Sequence, residues 1–384
     1  MRRRKPLFVL VLIALVCSRP IGHLAPLSAA ELPTRLTGVE FWKLSTDMSE
    51  QDGNFRSENM ISNEMVLASL LPEVTGRTKQ GGVYMGVGPE QNFSYLAVLH
   101  PRMAFITDIR RGNLHVLLMY RALFELSADR AELISRLFTR ARPAGLTATS
   151  SARQIMDAIW DVKTGDETAY QGNLDAIIAQ LTKTDAIPLP QSDIDGIDAA
   201  YRTFYFYGPA INYQASTALS PLTGGFGRGG GGRASATYWD LMTQVDANGN
   251  ELSYLSSHEK FLWLKTFQAR GLLVPLVGDF SGPKTLRAVG DYTRRQGAIV
   301  STFYVSTVEH YLRDAGTIPT FCASVASLPT DNTSVFIRPG NVQQFQQVNA
   351  PALRGRTMPA TPEVTGGRGT YQVGIVVPVN GGCG

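Results

Sequence analysis

An alternation of short apolar runs and amphipathic segments over residues 82–140 restricts the fold more than any other feature of the chain. "VYMGV" and "MAFITDI" have the length of buried strands, and each precedes a segment with apolar residues at helical spacing. The first run leads into two glycines one residue apart, and an acid closes the second run. The order strand, helix, strand, helix predicts a parallel sheet with crossover helices.

The same pattern returns near residue 272. "LLVPLVGDF" and "AIVSTFYVS" are predicted strands, each followed by a predicted helix, and "SVFIRPG" and "TYQVGIVVPV" are predicted as final strands at the sheet edge. The residues between are mostly helical, with "RTFYFYG" as a candidate aromatic strand. We therefore expect an α/β three-layer sandwich over 81–384, with a mostly parallel sheet, an antiparallel C-terminal edge and a helical insertion at about 141–270. Residues 31–80 are an extension packed on this core.

The first 30 residues have the tripartite pattern of a secretory signal. "MRRRKPLFVLVLIALVC" starts with basic residues and continues into an apolar run that is short for a membrane span, and the small residues Ser28 and Ala30 precede a cleavage site. An uncleaved N-terminal anchor is the alternative. We expect a cleaved signal peptide at 1–30, a periplasmic or extracellular protein, and no stable membrane span after cleavage.

Charge and cysteine content exclude two kinds of partner. The formal net charge is +4, but residues 1–30 hold five basic and no acidic residues, so 31 basic and 32 acidic residues remain. No nucleic-acid-binding surface is therefore expected. Cys322 and Cys383 remain after cleavage and can pair in an oxidising compartment. No cluster of Cys and His is present, and no metal site is predicted.

The segment "GGVYMGVGPEQNFSYL" is the leading candidate for a cofactor loop. Gly86 and Gly88 follow a strand and precede a helix, where glycines let the backbone approach a ligand, and Glu90 and Gln91 complete the loop. Gln91 occupies the third glycine position of a dinucleotide fingerprint, and the lysine of a phosphate loop is absent. The alternative is a tight turn between strand and helix.

Two acids lie where they would complete such a site. Asp108 ends the second strand, 20 residues after Gly88, where an acid bonds ribose hydroxyls of a ligand lying across the strand ends. Asp279 follows a later strand and is the candidate for an adenine amino group. Arg110 and Arg111 either meet a ribose phosphate or are solvent-facing charges.

Candidate catalytic side chains are few. Tyr304 and Glu309 in "FYVSTVEHY" lie where a strand turns into a helix, although Tyr304 can equally be packed in the core. The glycine-rich segment 222–235 is either a lid over an anionic substrate or a surface loop. Neither Gly-x-Ser-x-Gly nor HExxH occurs in the sequence, so the hydrolase and metalloprotease classes have no support.

Two long blocks resemble a poorly characterised bacterial family. They are "GGVYMGVGPEQNFSYLAVLHPRMAFITDIRRGNLHVLLMYRALFELSADRAELISRLF" and "LVPLVGDFSGPKTLRAVGDYTRRQGAIVSTFYVSTVEHYL". Members of that family are similar in fold to S-adenosylmethionine-dependent methyltransferases. The resemblance implies a methyltransferase-like (Rossmann-like) sheet with S-adenosylmethionine as cofactor. It implies Gly86 to Gln91 as the cofactor loop, Asp108 as the ribose acid and Asp279 as the adenine-side acid, and it implies no particular acceptor.

Three functions follow from these observations. The first is transfer of a methyl group from S-adenosylmethionine to an unknown acceptor, in tension with export because this cofactor is made in the cytoplasm. The second is an exported, non-catalytic protein that reuses the fold to bind another small molecule or a protein partner. The third is a dinucleotide oxidoreductase, supported by Gly86, Gly88 and the Arg110–Arg111 pair.

Overall fold

The computed structural model describes residues 31–338 except 56, 66, 79 and 216–235, and also the backbone of 341–344. The predicted signal peptide, the glycine-rich segment 222–235, the predicted strand "TYQVGIVVPV" and Cys383 lie outside these residues. Cys322 is described: it is buried and disulfide-bonded, and its partner also lies outside the described residues.

A single sheet forms the centre of the described structure, with strand order β3-β2-β1-β4-β5-β6. The strands are β1 (Val83–Val87), β2 (Met103–Asp108), β3 (Leu273–Val277), β4 (Val300–Tyr304), β5 (Val335–Arg338) and β6 (Asn341–Gln344). The first five run parallel to one another, and the short β6 pairs antiparallel with β5. The predicted α/β class with a parallel sheet is confirmed.

The parallel strands read as continuous apolar runs because both of their faces are covered. Every residue of β2, β3, β4 and β5 is buried. Neighbouring strands meet in register, with Phe105 opposite Val274 and Phe303 opposite Phe336, and all four side chains have no exposed surface. The centre of the hydrophobic core therefore lies on the sheet.

Helices pack around the sheet and fill the segment between β2 and β3. They are α1 (Gly38–Met48), α2 (Leu67–Arg77), α3 (Gln91–Leu99), α4 (Arg111–Leu126), α5 (Arg130–Leu137), α6 (Ala152–Trp160), α7 (Glu167–Ala179), α8 (Gln191–Tyr207), α9 (Tyr238–Met242), α10 (His258–Ala269), α11 (Thr285–Arg295), α12 (Val308–Asp314) and α13 (Ile318–Ala326). No helix in the described part of the chain is both long enough and apolar enough to cross a lipid bilayer.

The candidate strand "RTFYFYG" was wrong, because these residues end helix α8. Ile197, Tyr201 and Phe204 follow one another at helical spacing, and all three are completely buried. This 3.6-residue periodicity starts upstream of the aromatic cluster and outweighs the strand preference of the aromatic residues.

Residues of the N-terminal extension cover the outer edge of β3. The Ser45 hydroxyl donates a hydrogen bond to the Pro275 carbonyl at 2.6 Å, and the Ser49 hydroxyl accepts one from the Val277 N–H at 2.9 Å. The Glu50 N–H donates to the Val277 carbonyl at 2.8 Å. These contacts satisfy backbone groups that an open edge strand would expose.

Candidate functional site

A crevice lies beyond the carboxyl ends of the strands, where the strand order reverses. β1 has β2 on one side and β4 on the other, so the chain leaves the centre of the sheet in two directions. Open α/β sheets bind ligands at such a topological switch point. The cavity there measures about 290 Å³, near the lower end of the range for small-molecule sites. We call it the switch-point crevice.

The carboxyl ends of four strands and the loops that follow them supply walls of the switch-point crevice. The lining includes Gly88 and Pro89 after β1, Asp108 as the last residue of β2, Asp279 after β3 and Ser306 after β4. Aromatic side chains form another part of the lining. Phe55 of the extension packs edge-on against Tyr311 of α12, with ring centroids 5.1 Å apart, and both line the cavity. The crevice thus combines apolar walls with a few polar groups.

Asn92 organises the predicted cofactor loop. Its side-chain nitrogen donates to the carbonyls of Val87, Gly88 and Pro89 at 2.8–3.1 Å, and its oxygen accepts from the Tyr84 hydroxyl at 2.9 Å. Because Asn92 is completely buried, these bonds hold the turn in one shape.

The two glycines of this loop have different roles. A Cβ on Gly86 would lie 2.1 Å from the side-chain oxygen of Asn92, so only glycine leaves room for that side chain. Gly88 has φ +75°, which favours glycine, and no atom lies within 4 Å of the place its Cβ would take. The segment is therefore a tight turn, and its backbone at Gly88 also borders the switch-point crevice.

Glu90 and Gln91 occupy different positions although they are adjacent. Gln91 lines the switch-point crevice. Glu90 is completely buried and does not line it; its two carboxylate oxygens accept from the Ser62 N–H at 3.0 and 3.1 Å. Burial raises the pKa of Glu90 to about 7, against the opposing effect of the bond from Ser62. Glu90 thus joins the predicted cofactor loop to the N-terminal extension.

We expect Glu90→Gln to make the protein more stable at pH 8 and to leave stability near pH 4 almost unchanged. The folded state holds the Glu90 proton more tightly than the unfolded state, so stability is lost as pH rises from about 4.5 to 7. This shift corresponds to about 3 kcal/mol, and the amide can still accept from Ser62. Urea unfolding at both pH values measures the difference. Glu73→Gln, at a partly exposed carboxylate of α2, should show no such pH-dependent gain, and equal behaviour of the two variants would contradict the expectation.

Asp108 is already paired within the fold. Nε and Nη2 of Arg110 donate to its two oxygens at 3.1 and 3.0 Å, and the Arg110 N–H donates at 2.9 Å. A carboxylate has about four acceptor positions, so one remains for a further donor. Arg111 is bound as well, to Asp193 at 2.6 and 2.7 Å. Both arginines are therefore ion-paired; Arg110 is buried, whereas Arg111 is still partly exposed to solvent.

Asp279 has more free hydrogen-bond acceptor positions than Asp108. It is half-buried and lines the switch-point crevice. One of its oxygens accepts from the N–H and the hydroxyl of Ser281, both at 2.8 Å. Its own N–H donates to Glu50 at 3.2 Å, so the extension fixes the position of this loop.

The two candidate catalytic residues lie in different places: one lines the crevice and the other does not. Tyr304 ends β4 and lines the switch-point crevice, and burial raises the pKa of its hydroxyl. Glu309 does not line the crevice. Its carboxylate accepts two bonds from Arg338, at 2.6 and 2.7 Å, and both side chains are buried. Glu309 therefore forms a buried ion pair that joins α12 to the end of β5.

The segment Ile61–Glu64 was not predicted from the sequence as part of the site. Ile61, Ser62 and Asn63 line the switch-point crevice, and Glu64 lies buried behind it. The Ser306 hydroxyl donates a hydrogen bond to Glu64. Burial raises the pKa of Glu64, and the bond from Ser306 opposes that effect. The only signal in the sequence was a run of three polar residues between apolar ones.

Within the described residues, no group of three or more His, Cys, Asp and Glu side chains is arranged to hold a metal ion. The acidic residues near the crevice are instead bound to arginine side chains, serine hydroxyls or backbone N–H groups, as described above.

The fold and the crevice define an α/β protein with a parallel sheet and a small-molecule-sized cavity at its topological switch point. The chain matches the profile of a family described as Domain of unknown function (DUF7790) over residues 59–158 and 233–360. These segments make up more than half of the chain, and the protein belongs to that family. No curated protein matches the sequence. The family match includes β1–β5 and most crevice residues, and it leaves out 159–232, where α7 and α8 lie.

Proposed function

We propose that the protein binds an adenosine-containing small molecule in the switch-point crevice, with S-adenosylmethionine as the first candidate and an unknown acceptor for its methyl group. The observation that carries the proposal is the position of the cavity: it lies at the reversal of the order β3-β2-β1-β4-β5, beside a glycine turn. In this proposal the sheet is methyltransferase-like, with β6 as its antiparallel edge.

Within this proposal the crevice residues have separate tasks. The Gly88 backbone and Gln91 border the cofactor, Asp279 accepts from the adenine amino group, and Asp108 offers its remaining acceptor position to the ribose. Tyr304 lies at the end where the transferred methyl group would point. Transfer of a methyl group depends mainly on placing the sulfonium against the acceptor, so few reacting side chains are required.

A second candidate is an exported protein that binds another small molecule without catalysis. It is favoured by the disulfide at Cys322, which is typical of oxidising compartments, together with the signal-like residues 1–30. The Asp108–Arg110 pair also favours it, because it uses most of the acceptor capacity that a ribose would need. In both candidate functions the protein is exported to the periplasm or the cell exterior.

Thermal unfolding with S-adenosylmethionine and S-adenosylhomocysteine tests the proposal. A ligand that binds the folded state raises the melting temperature with concentration, corresponding to about 2.7 kcal/mol at 100 times the dissociation constant. We expect a saturable rise with both compounds. Asp279→Asn should weaken binding about tenfold, the value of one hydrogen bond to a charged group. Asp291→Asn, on the exposed surface of α11, is the matched control and should bind normally.

The outcomes separate the candidates. A melting temperature that neither adenosyl compound changes at millimolar concentration would overturn the first candidate and leave the exported binding protein. A rise with NADP⁺ alone would favour the oxidoreductase. Equal binding by wild type and Asp279→Asn would place the ligand away from the β3 end of the crevice.

A further inference from the structure

Ser306 has an unusual backbone for a serine at the edge of a cavity. It lies in the turn between β4 and α12, lines the switch-point crevice and has φ +48°. Left-handed backbone is uncommon for residues other than glycine and costs on the order of 1 kcal/mol, so such residues concentrate at functional sites. A strained strand-to-helix turn is also the arrangement that presents a serine nucleophile in α/β-hydrolases.

The partner of this serine is a buried carboxylate. The Ser306 hydroxyl donates to Oε1 of Glu64, which is 6% exposed and does not line the crevice. The hydroxyl therefore lies between the cavity and the carboxylate. Burial raises the pKa of Glu64, which makes its carboxylate a stronger base than an exposed one. A hydroxyl facing a ligand with a base bonded behind it is the arrangement of an activated nucleophile.

A second serine of the same crevice provides a comparison within the chain. Ser281 also lines the cavity, and its hydroxyl also donates to a carboxylate, Asp279, at 2.8 Å. Asp279 is half-buried rather than buried, and Ser281 has no left-handed backbone. Contact with a carboxylate is therefore common to both serines, whereas strain and a desolvated base belong to Ser306.

We propose that Ser306 is a nucleophile, with Glu64 as its general base, for carboxylic esters that carry a short apolar acyl group. Phe280 and Leu312 in the cavity wall suit such a group, and the cavity volume limits its length. Asn63, which precedes Glu64 and lines the same cavity, supplies an amide donor for the oxygen that becomes negative. This inference goes beyond the proposed ligand binding and does not require an adenosyl ligand.

The reaction balances with water as the only co-reactant. Oγ of Ser306 attacks the ester carbonyl carbon, and its proton passes to Glu64. The bond to the alkoxy oxygen then breaks, and that oxygen leaves as the alcohol with the proton from Glu64. Water next attacks the acyl-serine and gives a proton to Glu64. Oγ leaves with that proton, and the carboxylic acid is released.

Labelling with diisopropyl fluorophosphate tests the proposal on the full protein. Oγ forms a bond to phosphorus, fluoride leaves, and the hydroxyl proton passes to Glu64. We expect one adduct per chain, mapped by peptide mass spectrometry to the peptide that contains Ser306. Ser306→Gly, which suits the left-handed backbone, should give no adduct. Glu64→Gln should slow labelling about 100-fold, and Ser192→Ala, on the exposed surface of α8 and away from the crevice, should label like wild type. The rates at which these variants hydrolyse p-nitrophenyl butyrate should rank in the same order as their labelling rates.

Labelling no faster than that of the urea-unfolded protein, an adduct retained in Ser306→Gly, or an unchanged rate in Glu64→Gln would each overturn the proposal. If Ser306→Gly does not fold, Glu64→Gln still tests the proposal, because glutamine has nearly the same shape as glutamate. Added S-adenosylhomocysteine separates this proposal from the ligand proposal. Ser306 labelling without any binding of that compound supports the nucleophile and contradicts the adenosyl ligand. Binding of that compound without labelling supports the adenosyl ligand and contradicts the nucleophile.

Discussion

Arg338→Met should lower the free energy of unfolding by about 3–5 kcal/mol, the cost of leaving a buried charge unpaired. The Arg338 side chain has no exposed surface, and it donates to both oxygens of Glu309, whose side chain is 5% exposed. Methionine fills similar space but donates no hydrogen bond. The Glu309 carboxylate would then be buried without its charged partner. Chemical unfolding at pH 7 measures the loss.

The double variant Arg338→Met/Glu309→Leu distinguishes the ion pair from simple packing. Removing both charges should recover most of the lost stability, because a buried ion pair is often no more stabilising than apolar residues of similar volume. Arg77→Met is the matched control: Arg77 pairs with Glu73 at 2.9 Å on exposed surface, and its loss should change stability by less than about 0.5 kcal/mol. A double variant as unstable as Arg338→Met would contradict the explanation.

The strands could be predicted from the sequence because each is a short apolar run bounded by glycine or a polar residue. β1 to β5 all lie where such runs occur. The acid that ends β2 and the acid that follows β3 do reach the crevice, since parallel strands end at the same edge of a sheet. A continuous apolar run carries this information because burial on both faces requires apolar residues throughout a strand.

The partners of the site residues could not be predicted. Glu90 and Glu309 look like loop and helix-start acids, and nothing local indicates Ser62, 28 residues upstream, or Arg338, 29 residues downstream. The crevice wall formed by Phe55, Asn59 and residues 61–63 was missed for the same reason: these residues follow no periodic pattern, and tertiary contacts set their position. Motif position indicated which end of the sheet matters, and only the fold shows which carboxylates remain available to a ligand.

Asp193→Asn should destabilise the protein by about 3 kcal/mol at pH 7 by separating α8 from α4. The Asp193 side chain is completely buried and accepts from Arg111 at 2.6 and 2.7 Å, with Nε2 of His115 at 2.9 Å from the same carboxylate. A Cβ on Gly196 would lie 2.1 Å from the His115 ring, so the two helices approach closely at this point. The contact joins α8, which lies outside the family match, to the helix that follows Asp108.

The pH dependence of this effect identifies the charge as its cause. Burial acts to raise the pKa of Asp193, but hydrogen bonds from His115 and Arg111 outweigh it and lower the pKa to about 2 from 3.8. The ionised carboxylate therefore contributes roughly 2.5 kcal/mol to the free energy of unfolding. This contribution is complete above about pH 4 and is lost as pH falls through 2. Urea unfolding from pH 7 to pH 2 should show wild type and Asp193→Asn converging in acid. Asp195→Asn, on the exposed face of α8, should match wild type throughout; a constant deficit in Asp193→Asn would mean that shape rather than charge holds the helices together.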